Sequence, residues 1–345
     1  MRFRCTGLVL LLCIGTWSAS AESKVARDWA KHPAIVQIDT GEDIFAIGDV
    51  HGDYARLVKL LAAAKIIERP ANAEAADPDA VRWIAGKAVL VFTGDLVDKG
   101  SHSLKVVQLT AALRKAAAGS GGQVITLMGN HEAEFLADPT EKKVKDFAQD
   151  IRDAGLVTKE VAACRGDVGQ FLCSLPFGAR VDDWFFSHGG NTSGRTIAQL
   201  TTDFQNGIGK DGFGSPQLID ANSMLEARIG DEGPGGKAWF DPGKFEIEAP
   251  QRSAEQLLSS YVAALGVKHL VQGHQHQKIV FEDGQQRNTG QMFQWRGLLF
   301  LIDVGMSEGV GDSHGAVLHI RHRNSEEASV IDADGAEKSL WKSQR

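Results

Sequence analysis

Five times in this sequence an apolar run of strand character breaks off against a glycine, with a carboxylate, imidazole or amide beside the break. The junctions are "GDVHG" (48–52), "GDLVDKG" (94–100), "GNHE" (129–132), "HGG" (188–190) and "GHQH" (273–276). The preceding runs, such as "DIFAI", "KAVLVFT" and "QVITLM", are continuous in apolar residues, as strands covered on both faces are. Between the first three lie stretches with helical spacing, "YARLVKLLAAAKII" with Asp53 placed to cap it, and "SLKVVQLTAALRKAAA" stopped by "GSGG". Strand, helix, strand, helix, strand reads as an α/β fold with parallel strands. In such folds chemistry gathers beyond the carboxyl ends of strands. Glycine lets the backbone turn sharply there and approach a ligand closely.

The junction residues define the chemistry. Asp, Asn and His offer oxygen and imidazole donors, a mixture suited to two divalent first-row ions rather than a thiolate zinc site. Each junction alone has an ordinary explanation: a capping aspartate, a hydrogen-bonded histidine at a strand end, a polar surface run. All five in order, one per strand, point to a site.

The rest of the chain sets limits. At 345 residues, 43% apolar and 23% charged, it can bury a large core. A formal charge of −7 argues against a nucleic-acid partner. Residues 1–21 combine "MRFR", the apolar "GLVLLLCIG" and an A-x-A arrangement at Ala19 and Ala21, which reads as a secretory signal peptide. The expectation is an exported, periplasmic or secreted protein without stable membrane insertion, its domain spanning 22–345. Two cysteines stay outside that signal, Cys164 and Cys173, and in an exported chain they are expected to form a disulfide. Segments at about 135–180, mostly helical, and 200–250, rich in Gly, Pro and Asp with few strong periods, read as cap or insertion segments bordering the site.

The ordered set GDxHG, GDxxDxG, GNHE, HGG and GHx resembles the calcineurin-like metallophosphoesterases. The form of these motifs is similar to the phosphoprotein-phosphatase branch, nearest to bacterial Shewanella-like phosphatases. "HGDYARL" and "LIDVGMSEGVG" extend the resemblance, which runs from about Ile44 to Ile320. It implies a β-sandwich of two mixed sheets flanked by helices, with a dimetal site at the strand ends. It implies that Asp49 and His51 hold one divalent metal ion (Mn, Fe or Zn) and that Asp95 bridges two. Asn130, His188 and His274 would hold the second, and His276 is a further candidate ligand. His131 would be the general acid, oriented by Asp98, and Glu132 would support the ligands from behind. Lys99 would contact substrate phosphate where the family often has arginine. A second family arginine is expected near "GPGGKAWFDPG", after Trp239 and Phe240, but Asp241 stands there; Lys237 and Arg228 are possible substitutes. The activity implied is hydrolysis of phosphomonoesters, phosphoprotein side chains among them, by direct attack of a metal-bridging hydroxide. The alternatives are a phosphodiesterase or nucleotide hydrolase on the same scaffold, and a non-catalytic phospholigand-binding protein.

Overall fold

The computed structural model describes residues 27–230, 253–322 and 325–343. The signal segment 1–21, and Lys237, Trp239, Phe240 and Asp241, lie outside these residues.

The strands are β1 (Ile35–Ile38), β2 (Ile44–Ile47), β3 (Val89–Phe92), β4 (Gln123–Thr126), β5 (Gly178–Val181), β6 (Trp184–Ser187) and β7 (His269–Gln272). They continue as β8 (Ile279–Val280), β9 (Gln286–Arg287), β10 (Phe293–Trp295), β11 (Leu299–Leu301), β12 (Ala316–Arg321), β13 (Glu327–Asp332) and β14 (Glu337–Lys342). One sheet has the order β1-β5-β6-β7-β11-β10 and the other β14-β13-β12-β2-β3-β4; β8 and β9 form a small hairpin. Both large sheets are mixed. β2, β3 and β4 run parallel to one another, and so do β6 and β7.

The apolar runs explain the layering. Side chains alternate across a strand, so a strand without polar positions must be covered twice. Ile44 and Ala46 pack with Val89, Phe186, Val271 and Leu318 between the sheets. Phe45 and Ile47 point the other way, into the core formed with the helices. Burying each such side chain contributes roughly 1.5–3 kcal/mol.

Helices α1 (Tyr54–Ala63), α2 (Ser103–Gly119) and α3 (Asn130–Ala137) follow β2, β3 and β4 in turn. The Asp53 side chain caps α1 by accepting from Arg56 N at 3.1 Å. The 135–180 stretch is helical as expected: α4 (Lys145–Asp153), α5 (Thr158–Ala162) and α6 (Gly166–Ser174). A Cys164–Cys173 disulfide closes the turn between α5 and α6.

Two stretches differ from the sequence reading. The segment beginning at 200 is not loop at its start. Helix α7 (Ile197–Asp211) runs through it, and α8 (Pro216–Ile219) follows. α7 buries only Leu200, Phe204 and Ile208, one residue per turn, which is too thin a stripe to stand out among Gly, Thr and Asn. At the other end, β13 and β14 extend the sheet beyond β12, the last strand evident in the sequence. Helix α9 (Ala254–Leu265) is capped by the Ser253 side chain and stops at Gly266 in the left-handed region.

Candidate active site

The parallel runs of β2, β3 and β4 and of β6 and β7 bring all five junctions to one end of the sandwich. Close backbone packing there explains two of the glycines. A Cβ on Gly94 would lie 2.5 Å from Gly129 N, and one on Gly129 would lie 2.2 Å from Asp95 Oδ1. Three candidate ligands that are not glycine adopt left-handed backbone: His51 at φ 46°, Asp95 at φ 50° and His274 at φ 65°. Such conformations are costly and cluster where geometry matters more than local stability.

Three histidines are arranged alike. His51 Nδ1 faces Val97 O at 3.0 Å, and His188 Nδ1 faces Thr93 O at 2.9 Å. His274 Nε2 faces Glu226 O at 3.0 Å, with Arg228 Nε 3.2 Å from the same nitrogen. A carbonyl can only accept, so His51 and His188 carry a proton on Nδ1 and turn Nε2 toward the cluster; at His274 the carbonyl calls for a proton on Nε2 and the Arg228 N–H for a lone pair there, and Nδ1 faces the cluster in either tautomer. These inward nitrogens converge on Asp95. His51 Nε2 lies 3.5 Å from Asp95 Oδ2, and His188 Nε2 lies 3.3 Å from Oδ1. His274 Nδ1 is 3.1 Å from His188 Nε2. The end of the Asn130 amide completes the cluster, 3.0 Å from His188 Nε2, 3.3 Å from His274 Nδ1 and 3.2 Å from Asp95 Oδ2.

Donor atoms of His51, Asp95 and His131 lie within 4.8 Å of one another, and so do those of Asp95, His188 and His274. Asp95 belongs to both groups, one oxygen toward each. Asp49 lies beside them, with both oxygens within 3.0 Å of His274 N. The electrostatics fit a cation. Burial and the nearby Asp303 carboxylate push Asp49 well above the usual carboxylate range. Burial opposes a charge on His188, yet Asp95 and Asp49 push its pKa up to about 10, so a proton there offsets part of the carboxylate field. Burial, His188 and Arg228 hold His274 well below its ordinary value, which keeps it neutral. A divalent ion in each group would neutralise the same field, displacing the His188 proton and taking the nitrogens that face the cluster. The residues therefore fit a pair of divalent metal ions.

Glu132 holds the frame without joining it. Its Oε2 accepts from Asp95 N at 3.0 Å and Gly129 N at 2.7 Å, and its Oε1 from Leu96 N at 2.8 Å and Val97 N at 3.2 Å. Burial and Asp95 push its pKa up to about 7. A carboxyl proton, however, would meet only donors here, so the four amides hold it ionised. Asp95 N and the start of α3 are thereby tied to one carboxylate.

His131 turns its Nδ1 to Asp98 Oδ2 at 3.1 Å, which leaves Nε2 for the cavity that the ring lines. Asp98 is fixed in turn, its Oδ1 accepting from Phe147 N at 3.0 Å, so α4 braces the pair. Burial lowers the His131 pKa, but Asp95 and Asp98 outweigh it and hold it above the ordinary value.

His51, Asp95, Asn130, His131 and His274 line a cavity of about 280 Å³. Lys99 lies exposed at its mouth and also borders a second cavity of about 570 Å³ next to it. Arg228, one of the two substitutes named for the arginine that Asp241 replaces, lines the catalytic-type cavity directly. No motif spacing marked it. His276 lies at the rim, its Nδ1 3.8 Å from Asp303 Oδ2 and outside both donor groups. Asp303, buried beside Asp49, is a site residue that the sequence reading passed over; its only signal was the "IDVG" ending of another apolar run.

Among the described residues no helix is long and apolar enough to cross a membrane. The family model for calcineurin-like phosphoesterases matches residues 43–278. An uncharacterized protein of Schizosaccharomyces pombe is 39% identical over 312 residues, covering 84% of this chain and 80% of that protein. Shewanella-like protein phosphatase 1 of Plasmodium berghei is 30% identical over 151 residues, which is 43% of this chain and 38% of that protein. The crystal structure of a cold-active protein-tyrosine phosphatase from a psychrophilic Shewanella superposes with a TM-score of 0.61 at 21% identity, over 88% of this chain and 82% of that one. That likeness shows the same mixed-sheet, helix-flanked fold. With the strand-end cluster and the family match in agreement, this chain belongs to the calcineurin-like phosphoesterases, as a metal-dependent phosphoric ester hydrolase with Shewanella-like phosphatases among its neighbours.

Proposed function

We propose that this chain is an exported phosphomonoesterase that transfers the phosphoryl group of its substrate directly to water. The observation that carries the reading is the His131–Asp98 pair set against the Asp95-centred donors. Asp49, His51 and Asp95 would hold one divalent ion, and Asp95, Asn130, His188 and His274 the other. The chemistry that bound ions supply is an acidified water and neutralisation of charge on the phosphoryl oxygens. His131 Nε2 donates a proton to the leaving oxygen while Asp98 fixes the ring and its tautomer. Lys99 and Arg228 present cations to the phosphoryl oxygens, and Arg228 supplies the planar donor set that Lys99 lacks. A cavity of about 280 Å³ suits a phosphate group with the first atoms of its ester. The signal-like residues 1–21 support export, and phosphoprotein side chains are among the substrates the open mouth would admit.

The test is hydrolysis of an aryl phosphate and the matching aryl diester by residues 22–345, after chelation and return of manganese. Monoester turnover that depends on manganese and collapses in His131→Asn supports the proposal. Diester turnover in preference moves the assignment to a phosphodiesterase or nucleotide hydrolase. Metal binding without turnover of either makes the chain a phospholigand-binding protein.

A further inference from the structure

A second cavity lies along the edges of the two sheets, away from the donor cluster. β4 ends one sheet and β1 ends the other. Beside them and α2 is a space of about 240 Å³, which shares no lining residue with the catalytic-type cavity. Val36, Val124 and Pro176 give it an apolar floor. Lys31 and Arg114 stand on its rim. Among the described residues no carboxylate lines it; Asp28, 3.5 Å from Lys31, is exposed and lies outside the lining.

Two buried polar atoms of lining residues have no hydrogen-bond partner among the described residues: Thr126 Oγ1 and His32 Nδ1. Thr126 is 4% exposed. Both atoms are closed off within the cavity wall, so recognition falls to the cations and apolar side chains that line the space. Burial, with the charges of Arg27 and Arg114, holds His32 below its ordinary value. A neutral ring offers one donor and one acceptor and adds no charge of its own. The cations select an anion, and the apolar floor selects one with a hydrocarbon part, since a bare inorganic anion would lose water there without replacement.

We propose that this edge cavity binds a small amphipathic carboxylate. The carboxylate lies between Lys31 and Arg114. The hydrocarbon part rests on Val36, Val124 and Pro176. The site is separate from the phosphoester chemistry.

The test is calorimetric titration of the manganese-loaded protein with hexanoate, hexanol and hexylammonium. Hexanoate should bind saturably and most tightly. Arg114→Glu and Lys31→Glu should each weaken it by roughly tenfold or more, the scale of losing one charged hydrogen bond. Aryl phosphate turnover should stay unchanged in both variants. Both side chains are exposed, so neither substitution disturbs the core. Hexanoate binding no tighter than hexanol or hexylammonium overturns the proposal. So does binding that Arg114→Glu leaves intact, which would place the carboxylate at the metal-binding cluster instead.

Discussion

His188, just past the end of β6, and His319, on β12, are both buried histidines, and both face carboxylates. On β12, His319 sets Nδ1 2.9 Å from Glu337 Oε1 and Nε2 3.2 Å from Asp43 Oδ2, and stacks on Phe45 with centroids 4.3 Å apart. Both nitrogens are taken up within the sheet, so the ring has nothing left to offer. His188 sets one nitrogen on a backbone carbonyl and aims the other at Asp95, Asn130 and His274. Burial and nearby acid do not separate a ligand from a packing residue. The use of the second nitrogen does.

The largest effect should come from removing that second nitrogen. His188→Ala should bind less than two metal equivalents and lose on the order of 10³-fold in kcat, the scale of several kcal/mol of charge stabilisation. His319→Gln should keep both metals and full kcat while losing about 1 kcal/mol of stability. Metal analysis beside turnover checks the pair, and equal kcat losses would erase the distinction.

His131→Asn should keep its metals and lose about 10²–10⁴-fold for an alkyl phosphate. The loss should shrink for a nitrophenyl phosphate, whose leaving group needs little protonation. Equal losses for both esters would remove His131 from the role of acid.

Asp98→Asn tests the sign of the pKa argument. Asp95 and Asp98 hold His131 above its ordinary value against burial, so the acid form persists to higher pH and activity falls as pH rises through that raised value. Without the Asp98 charge, the alkaline limb of the kcat profile should move to lower pH. An unmoved limb would mean that another group sets it.

The smallest effect belongs to the other region. Burial opposes ionisation of Glu337, but Ser329, His319 and Arg321 hold it below its ordinary 4.5. A depressed carboxylate stabilises the fold above its unfolded value and loses that contribution as pH falls through the folded one. Glu337→Gln should therefore cost about 0.5 kcal/mol at pH 7, discounted for exposure, and nothing in strong acid. Denaturant midpoints across pH would show it.

Much of the site was legible because its physics is local. A strand without polar positions, then a glycine, then a donor is a complete statement in six or seven residues, and the five junctions sit at one end because their strands do. Asp303 was not legible, and Arg228 was one of two candidates that no motif spacing chose between. Each reaches the cavity from a segment whose sequence says nothing about direction, and only the packing shows it. The polar strands β13 and β14, at one end of their sheet, escaped for the opposite reason. With one face near solvent, "EASVID" and "EKSLWK" need few apolar residues to hold their place. α7 carried a legible signal that went unused, a capping box between Thr196 and Gln199.

The Glu132 clamp has a consequence for how such a site can change. One side chain from α3 gathers the amides of Gly129, Asp95, Leu96 and Val97, and the Gly94 and Gly129 backbones touch with no room for a Cβ. Two motifs more than thirty residues apart in the chain therefore behave as a single casting. Neither can be exchanged, shifted or borrowed from a relative without the other. The surrounding loops, which the clamp does not touch, can be rewritten at will. A lineage that keeps the casting can try new substrates by changing its mouth while the donor cluster stays where it was.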